Sequence, residues 1–217
     1  VYKRQSQDKT LNKFGKGIQI TAADSSFSMK FSARIQSLFV AEVLMTDSVD
    51  WKDLSTSMMI RRARLKFDGF AYSPKVQYKI ELGLSNRDIG SPVPQGSNAS
   101  NVVFDAYVEW NFYKNFSILV GQTKLPGNRE RVISSQAMQL VDRSLLNARY
   151  NIDRDMGMHL KHHFKIGTFA VQEVFAITQG EGRNITGGNI GGYDYTGRVE
   201  LYPFGAFKSK GDYVGSD

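Results

Sequence analysis

The chain has 217 residues with a formal net charge of +7, and 41% of them are hydrophobic. No uncharged apolar stretch approaches the roughly 18 to 20 residues of a membrane-spanning helix, which excludes a helical membrane protein. The lack of cysteine excludes a disulfide scaffold and a cysteine-ligated metal site, and the 14 Phe, 10 Tyr and 2 Trp argue against disorder.

An alternation of apolar and polar residues begins at Phe27 and recurs along the chain. Such a period of two is typical of strands with one apolar and one polar face. It predicts eight strands, at residues 27–41, 59–71, 75–85, 102–112, 116–124, 155–164, 169–179 and 193–204. On the fourth of these strands, Phe104 falls on the apolar face.

The polar faces of the first four predicted strands are rich in charge. They carry Lys30, Arg34, Arg62, Arg64, Lys66, Asp68, Lys75, Lys79, Glu81, Asp105 and Glu109. A protein core does not accept so many ions, because each unpaired buried charge costs several kcal/mol. We therefore expect water on the charged face.

The connections between the predicted strands alternate in length. Those at residues 73–74, 113–115 and 165–167 are tight turns, whereas those at 46–57, 86–101, 125–154 and 180–192 are long. Bacterial outer-membrane barrels have this arrangement, and a sheet can cross lipid only as a closed barrel. The predicted fold class is thus an all-β, antiparallel transmembrane β-barrel. Since aqueous channels need about sixteen strands, we expect the eight predicted strands to be half of the wall.

The densest basic cluster lies on the second predicted strand, where Arg62, Arg64 and Lys66 share one face beside Lys30 and Arg34 of the preceding strand. Guanidinium groups bind phosphate or carboxylate oxygens with two parallel hydrogen bonds, and anion pores are lined by Arg and Lys. The pattern favours a path for small anions. In the alternative, these cations form ion pairs across the lumen with Asp68, Glu81, Asp105 and Glu109, and they only adjust the electrostatic field in the lumen.

The segment 125–154 follows Lys124 and contains Arg129, Arg131 and Arg143. A loop of this length is functional or disordered, and its apolar residues indicate that it packs against something. We expect a helical stretch at 134–147. Inward folding as a constriction and an external lid or partner-binding loop both remain open. The segments 86–101 and 180–192 are expected to be external loops with little chemical signal.

Other chemistries find little support. Only His159 and His163 of the three histidines share a strand face, so neither a metal site nor another cofactor is expected, and no GxSxG motif suggests an esterase. The basic residues alternate with apolar ones and form no patch beside stacking aromatics, which argues against nucleic acid as a partner. We expect no enzymatic activity.

The chain resembles the phosphate-selective porin O and P family. The matching stretches are residues 61–65 with Phe67 and Gly69, 105–107, 120–122 with Lys124 and Pro126, 139–144, and 151–156. Their order is that of the amino-terminal half of the family. The chain departs from the family pattern after Pro126, where it has Gly127 and Asn128 in place of a frequent Phe-Ser pair.

The resemblance implies a barrel of about sixteen strands, a homotrimer in the bacterial outer membrane, and a third loop folded inward. It implies that Arg34, Arg62 and Arg64 face the channel and that Lys124, Arg129 and Arg131 lie at the start of the constriction loop. The expected function is passive conduction of phosphate, polyphosphate or similar anions. The alternative is a structural barrel whose long loops bind a partner.

The expected organisation is an amino-terminal segment at residues 1–26 that is periplasmic or a junction, a partial barrel at 27–204, and the start of another turn or strand at 205–217. The predicted anion path comprises Lys30, Arg34, Arg62, Arg64, Lys66, Lys124, Arg129, Arg131 and Arg143.

Overall fold

The structure is a computed structural model that describes residues 17–43, 54–89, 101–135, 138, 140, 142–185, 187–189 and 191–205. Nine strands form one antiparallel sheet in which each strand pairs with its neighbours along the chain. They are β1 (Ile18–Thr21), β2 (Phe27–Val43), β3 (Leu54–Ala71), β4 (Ser73–Gly83), β5 (Val103–Tyr113), β6 (Phe116–Lys124), β7 (Arg154–Ile166), β8 (Phe169–Thr178) and β9 (Asp194–Tyr202).

Three short helices lie in the long connections: α1 (Asn86–Ile89), α2 (Arg129–Val132) and α3 (Leu145–Arg149). Among the described residues, no helix has the length and apolar character needed to cross a membrane. In the described part of the chain, β1 and β9 are the two edge strands of the sheet and do not pair with each other, so the sheet is not closed into a barrel.

The sequence prediction of an all-β antiparallel fold is confirmed, and its eight strands correspond to β2 through β9. The first strand, β1, was missed because its four residues are too few to show a period. It lies within the expected amino-terminal segment, of which residues 1–16 are outside the described part. Of the expected further turn or strand at 205–217, only Gly205 is described.

The short connections are tight turns, and all of them lie at the same end of the strands. Tyr72 alone joins β3 to β4, Lys114 and Asn115 join β5 to β6, and Gly167 and Thr168 join β7 to β8. Tyr72, Lys114 and Gly167 have φ values of 64°, 42° and 62°, the left-handed conformation that reverses a chain within one or two residues. The predicted alternation of short and long connections is therefore present.

The burial pattern of the sheet is the reverse of that in a water-soluble protein. Apolar side chains such as Ile35 and Met58 are 79% and 80% exposed on one face. Ionic side chains such as Arg62 and Asp105 are 4% and 2% exposed on the other. A continuous apolar outer face over a charged inner one suits a wall between lipid and a wet interior.

Two β-bulges change which side chains reach the charged face. In the pairing of β2 with β3, the register shifts at Gln36 and leaves Arg61 without an opposing residue. In the pairing of β4 with β5, the shift at Glu81 does the same for Phe104. An extra residue on one strand breaks the strict alternation of faces. The prediction that Phe104 lies on the apolar face is thus wrong, since its ring lies against the guanidinium of Arg64.

Gly83 makes room for the ring of Phe104. A Cβ atom at Gly83 would lie 2.2 Å from Cε2 of Phe104. We expect Gly83→Leu to lower the free energy of unfolding by about 1–3 kcal/mol, because the ring or the strand must shift.

The midpoint of urea unfolding, followed by the gel mobility of folded and unfolded protein, measures this effect. Gly197→Leu is the control, because a Cβ atom there meets no atom within 4 Å. Equal midpoints for Gly83→Leu and Gly197→Leu would contradict the expected role of Gly83.

Candidate anion path

Strand pairing aligns the charged residues of the inner face in neighbouring rows. Arg34 of β2 lies opposite Arg64 of β3, and Lys30 lies opposite Asp68. Glu81 of β4 lies opposite Asp105 of β5. Because residues in opposing positions stand about 5 Å apart, ionic groups on successive strands can contact one another directly.

Many of these groups form one connected ionic network. It runs through Arg64, Glu81, Lys79, Asp105, Arg154, Asp153 and Arg131. The buried carboxylate of Asp105 is at its centre and accepts hydrogen bonds from Lys79 and from Nε of Arg154, the latter at 2.8 Å. Lys66 pairs separately with Asp68 at 2.9 Å. The alternative in which lumenal cations pair with acids therefore holds for part of the predicted path.

Side-chain caps organise the long segment between β6 and β7. Asn128 caps α2 by accepting a hydrogen bond from the backbone N–H of Arg131, and Ser144 caps α3 in the same way from Asn147. Among the described residues of the expected helical stretch at 134–147, only 145–147 are helical, as the start of α3, so the prediction is wrong for the described residues before Leu145. Serines such as Ser134 and Ser135 favour turns over helix interiors, since their hydroxyls compete for backbone groups.

Glu130 ties the two short helices together. Its carboxylate accepts hydrogen bonds from N–H and Oγ of Ser144 at 2.6 and 2.8 Å. These bonds lower the pKa of Glu130 below its ordinary value of 4.5. Their stabilising effect is complete above that ordinary value and is lost as the pH falls through the lowered pKa.

We expect Glu130→Ala to increase current fluctuations of single channels at neutral pH, because the tie between the helices is gone. The parent protein should become similarly noisy only below pH 4.5, the ordinary glutamate pKa. Single-channel recording measures both effects, with Glu42→Ala at an exposed position of β2 as the control. Current fluctuations of Glu130→Ala channels equal to those of the parent protein would show that the hydrogen bonds between Glu130 and Ser144 are dispensable.

The segment lies against the charged face at both sides of the sheet. Nη1 of Arg34 on β2 donates to Oγ of Ser135 at 3.0 Å. Arg61 and Arg62 on β3 both form ion pairs with Asp142. At the far side, Nη1 of Arg198 on β9 donates to the carbonyl of Gly127 at 2.7 Å. Since β3 and β9 lie at opposite sides of the sheet, the sheet curves around this segment.

Backbone carbonyl groups of the segment hold two cations close together. Nζ of Lys124 donates to the carbonyl oxygens of Arg131 and Ile133 at 3.0 and 3.1 Å. Nη2 of Arg143 donates to the same oxygen of Ile133 at 2.8 Å. Within the described part of the chain, no carboxylate lies within 4.0 Å of the charged groups of Arg34, Lys124 or Arg143. Contact with a protein carboxylate therefore neutralises none of these three cations.

The charged groups of the segment respond to burial and to one another. Burial lowers the pKa of Arg131 to about 10 despite the opposing effect of Asp153. Burial also lowers the pKa of Arg143. Burial alone would raise the pKa of Asp153, but Arg154 and Arg131 lower it overall. At neutral pH the acid is ionised and Arg131 remains a cation.

Two adjoining cavities follow the charged face. The first has a volume of about 430 Å³ and is lined by seven cationic side chains and two carboxylates. The second has a volume of about 640 Å³ and is lined by eight cationic side chains and three carboxylates. A third cavity, near the tight turns, is lined by two lysines and two glutamates beside two histidines. The cationic excess is therefore concentrated where the 125–153 segment meets the wall.

The predicted path residues divide between these cavities. The first cavity is lined by Lys30, Arg34, Arg64, Lys66 and Lys124. The second is lined by Arg62, Arg64, Lys124, Arg131 and Arg143. Arg64, Lys124, Ser135 and Arg154 line both cavities and mark their junction. Arg129 lines neither of the two and forms an ion pair with Glu200 at 3.6 Å.

The path predicted from the sequence lacks several residues that line the second cavity, among them Arg61, Phe104, Arg154 and Arg183. Arg61 and Phe104 reach it because of the bulges, which alternation cannot reveal. Arg183 reaches it from the 180–192 connection, so the expectation that this connection carries little chemical signal is wrong. The available signal was Gly182, whose φ of 91° permits a sharp inward turn just before Arg183.

An antiparallel wall with an apolar outer face, a charged inner face and a long segment held against the charged face is the architecture of outer-membrane channel proteins. The model of the family "Phosphate-selective porin O and P" matches residues 41–204, which is more than half of the chain, and the chain belongs to this family. The resemblance noted from the sequence is confirmed. Members of this family are channels of the bacterial outer membrane and not enzymes. No curated protein is significantly similar to the chain.

Proposed function

We propose that the protein is a passive channel for small oxyanions, with phosphate as the representative substrate. The path is the space between the charged wall and the 125–153 segment, which acts as an inward-folded constriction. The observation that carries this proposal is a group of cavity-lining cations that no carboxylate of the described residues contacts, which includes Arg34, Lys124 and Arg143. Neutral hydroxyl and carbonyl oxygens hold these three cations in place, so no protein carboxylate neutralises them by contact.

The junction of the two cavities is the proposed narrow point. An anion passing from one cavity to the other meets Lys124 and Arg64, and the hydroxyl of Ser135 can donate a hydrogen bond to it. Conduction requires binding that is strong enough for entry and weak enough for release. The carboxylates of the ionic network, such as Asp105, supply that balance by neutralising some of the surrounding cations.

Phosphate suits this arrangement better than chloride does. A phosphate group presents several oxygens, so two guanidinium groups and an ammonium can donate to it at once. Chloride accepts the same charges without that geometric match. Polyphosphate presents repeated groups of the same kind and is a further candidate substrate.

We also propose that further strands close the sheet into a barrel of about sixteen strands that assembles as a homotrimer. The open nine-stranded sheet and the family membership support this. In this proposal residues 1–26 form a periplasmic or junction segment, residues 27–204 form part of the wall, and residues 205–217 begin the next turn or strand. Native mass spectrometry of the full-length protein in detergent tests the trimer, and a monomeric mass would contradict it.

Phosphate block of chloride current tests the proposed substrate class. The full-length protein is reconstituted in a planar lipid bilayer in KCl, and phosphate is added to both sides. Phosphate should reduce the chloride current at concentrations far below that of chloride, because it occupies the constriction longer. A current insensitive to phosphate would overturn the proposal. A folded protein without conductance would favour the alternative of a structural or partner-binding barrel.

A further inference from the structure

The connection between β8 and β9 reaches the charged face through a buried polar clasp. The backbone N–H of Asn184 donates to Oε1 of Gln122 at 2.7 Å. Its side-chain Nδ2 donates to Oδ1 of Asn101 and to the carbonyl of Val103, each at 2.9 Å. Gln122 and Asn101 are each 7% exposed, so these hydrogen bonds are shielded from water. The clasp fixes the residue next to it, Arg183, over the wall.

Arg183 lies on an aromatic platform. The guanidinium carbon atoms of Arg64, Arg154 and Arg183 lie 4.3, 4.6 and 4.1 Å from the ring centre of Phe104. The face of a phenyl ring is electron-rich and attracts each cation, and stacking leaves the N–H edges of a guanidinium free to bind elsewhere. Three guanidinium groups therefore lie around one buried ring.

The charge of Arg183 is not neutralised by contact. Its Nη2 donates to the backbone carbonyl of Asp88 at 2.5 Å. Its Nη1 is buried and has no hydrogen-bond partner, and within the described part of the chain no carboxylate contacts its guanidinium. It lines the second cavity together with Arg131 and Arg143 of the long segment. The second cavity therefore has a cation from the 180–192 connection in addition to these two cations of the long segment.

We propose that Arg183 is a specificity-determining residue of the channel, which recruits oxyanions into the second cavity and is positioned there by Phe104 and Asn184. The inference rests on the proposed function. It adds a second connection, 180–192, to the parts of the chain that select the anion. The role requires both the charge and its placement, so loss of the clasp should weaken selection even when the arginine is retained.

The test compares phosphate block in four variants of the full-length protein. Arg183→Gln removes the charge, and we expect the half-blocking phosphate concentration to rise about tenfold, which corresponds to one lost charge-assisted contact. Arg183→Lys retains the charge but lacks the planar guanidinium group that stacks on Phe104, so the half-blocking concentration should rise less. Asn184→Gly retains a backbone able to adopt the φ of 58° but removes the amide of the clasp, and should also give a smaller rise.

Lys75→Gln is the matched control. It removes one positive charge from the charge-balanced cavity near the tight turns and should leave the block unchanged. A parent protein insensitive to phosphate would overturn the proposed function. A parent protein that is blocked, with Arg183→Gln blocked at the same concentration, would overturn this inference alone. Equal shifts in Arg183→Gln and Lys75→Gln would also overturn it, because the effect would be one of overall charge. If Arg183→Gln does not fold, unchanged block in both Arg183→Lys and Asn184→Gly overturns the inference.

Discussion

Replacing residues 129–149 by a short Gly-Ser linker is expected to raise the single-channel conductance several-fold and to abolish block by phosphate. The replaced segment contributes Arg131, Ser135, Asp142 and Arg143 to the two cavities. Without it the path is wider, and the wall cations face open water, where attraction between charges is far weaker. Single-channel recording in KCl, with and without phosphate, measures both changes.

The control for this replacement is a Gly-Ser substitution of residues 187–189 in the β8–β9 connection. These residues are exposed and line none of the cavities described above. Conductance and block should match those of the parent protein. If the 129–149 replacement also leaves conductance and block unchanged in a folded protein, the segment lies outside the path and acts as a lid or a partner-binding loop.

Arg34→Glu is expected to reduce the preference for anions about tenfold or more, since a change of two charges at the constriction easily exceeds the 1.4 kcal/mol that corresponds to a factor of ten. Arg34 lines the first cavity and donates to Ser135 of the constricting segment. The new carboxylate would lie opposite Arg64 across the strand pair, so the fold should survive. The permeability ratio of chloride to potassium measures the effect.

Lys75→Glu provides the matched comparison for Arg34→Glu. It makes the same change of charge in the cavity near the tight turns, where lysines and glutamates balance. We expect it to alter the permeability ratio much less. Similar ratios for the two variants would show that selectivity follows the total charge of the wall and not the constriction.

The strands and their faces could be predicted because the backbone of a strand sends successive side chains to opposite sides. This local rule places Arg34, Arg62 and Lys66 correctly without knowledge of their partners. It fails at Arg61 and Phe104, where a bulge is defined by the pairing with a second strand. A sequence period within one strand contains no information about that pairing.

The candidate site could be predicted only in part, because its contacts join residues far apart in the chain. Asp142 of the long segment pairs with Arg61 and Arg62, and Arg183 reaches the ring of Phe104 from another connection. The alternation of apolar and polar residues predicted which cations lie on the charged face, but it could not show which of them form ion pairs with carboxylates. The structure separates the ion-paired Lys66 from Arg34, whose donors are directed to neutral acceptors.

The reversal potential of the full-length protein in a KCl gradient across a planar bilayer tests anion conduction most directly. With an excess of fixed cations along both cavities, the reversal potential should lie close to the equilibrium potential of chloride. A reversal potential close to that of potassium would contradict an anion path through this charged face.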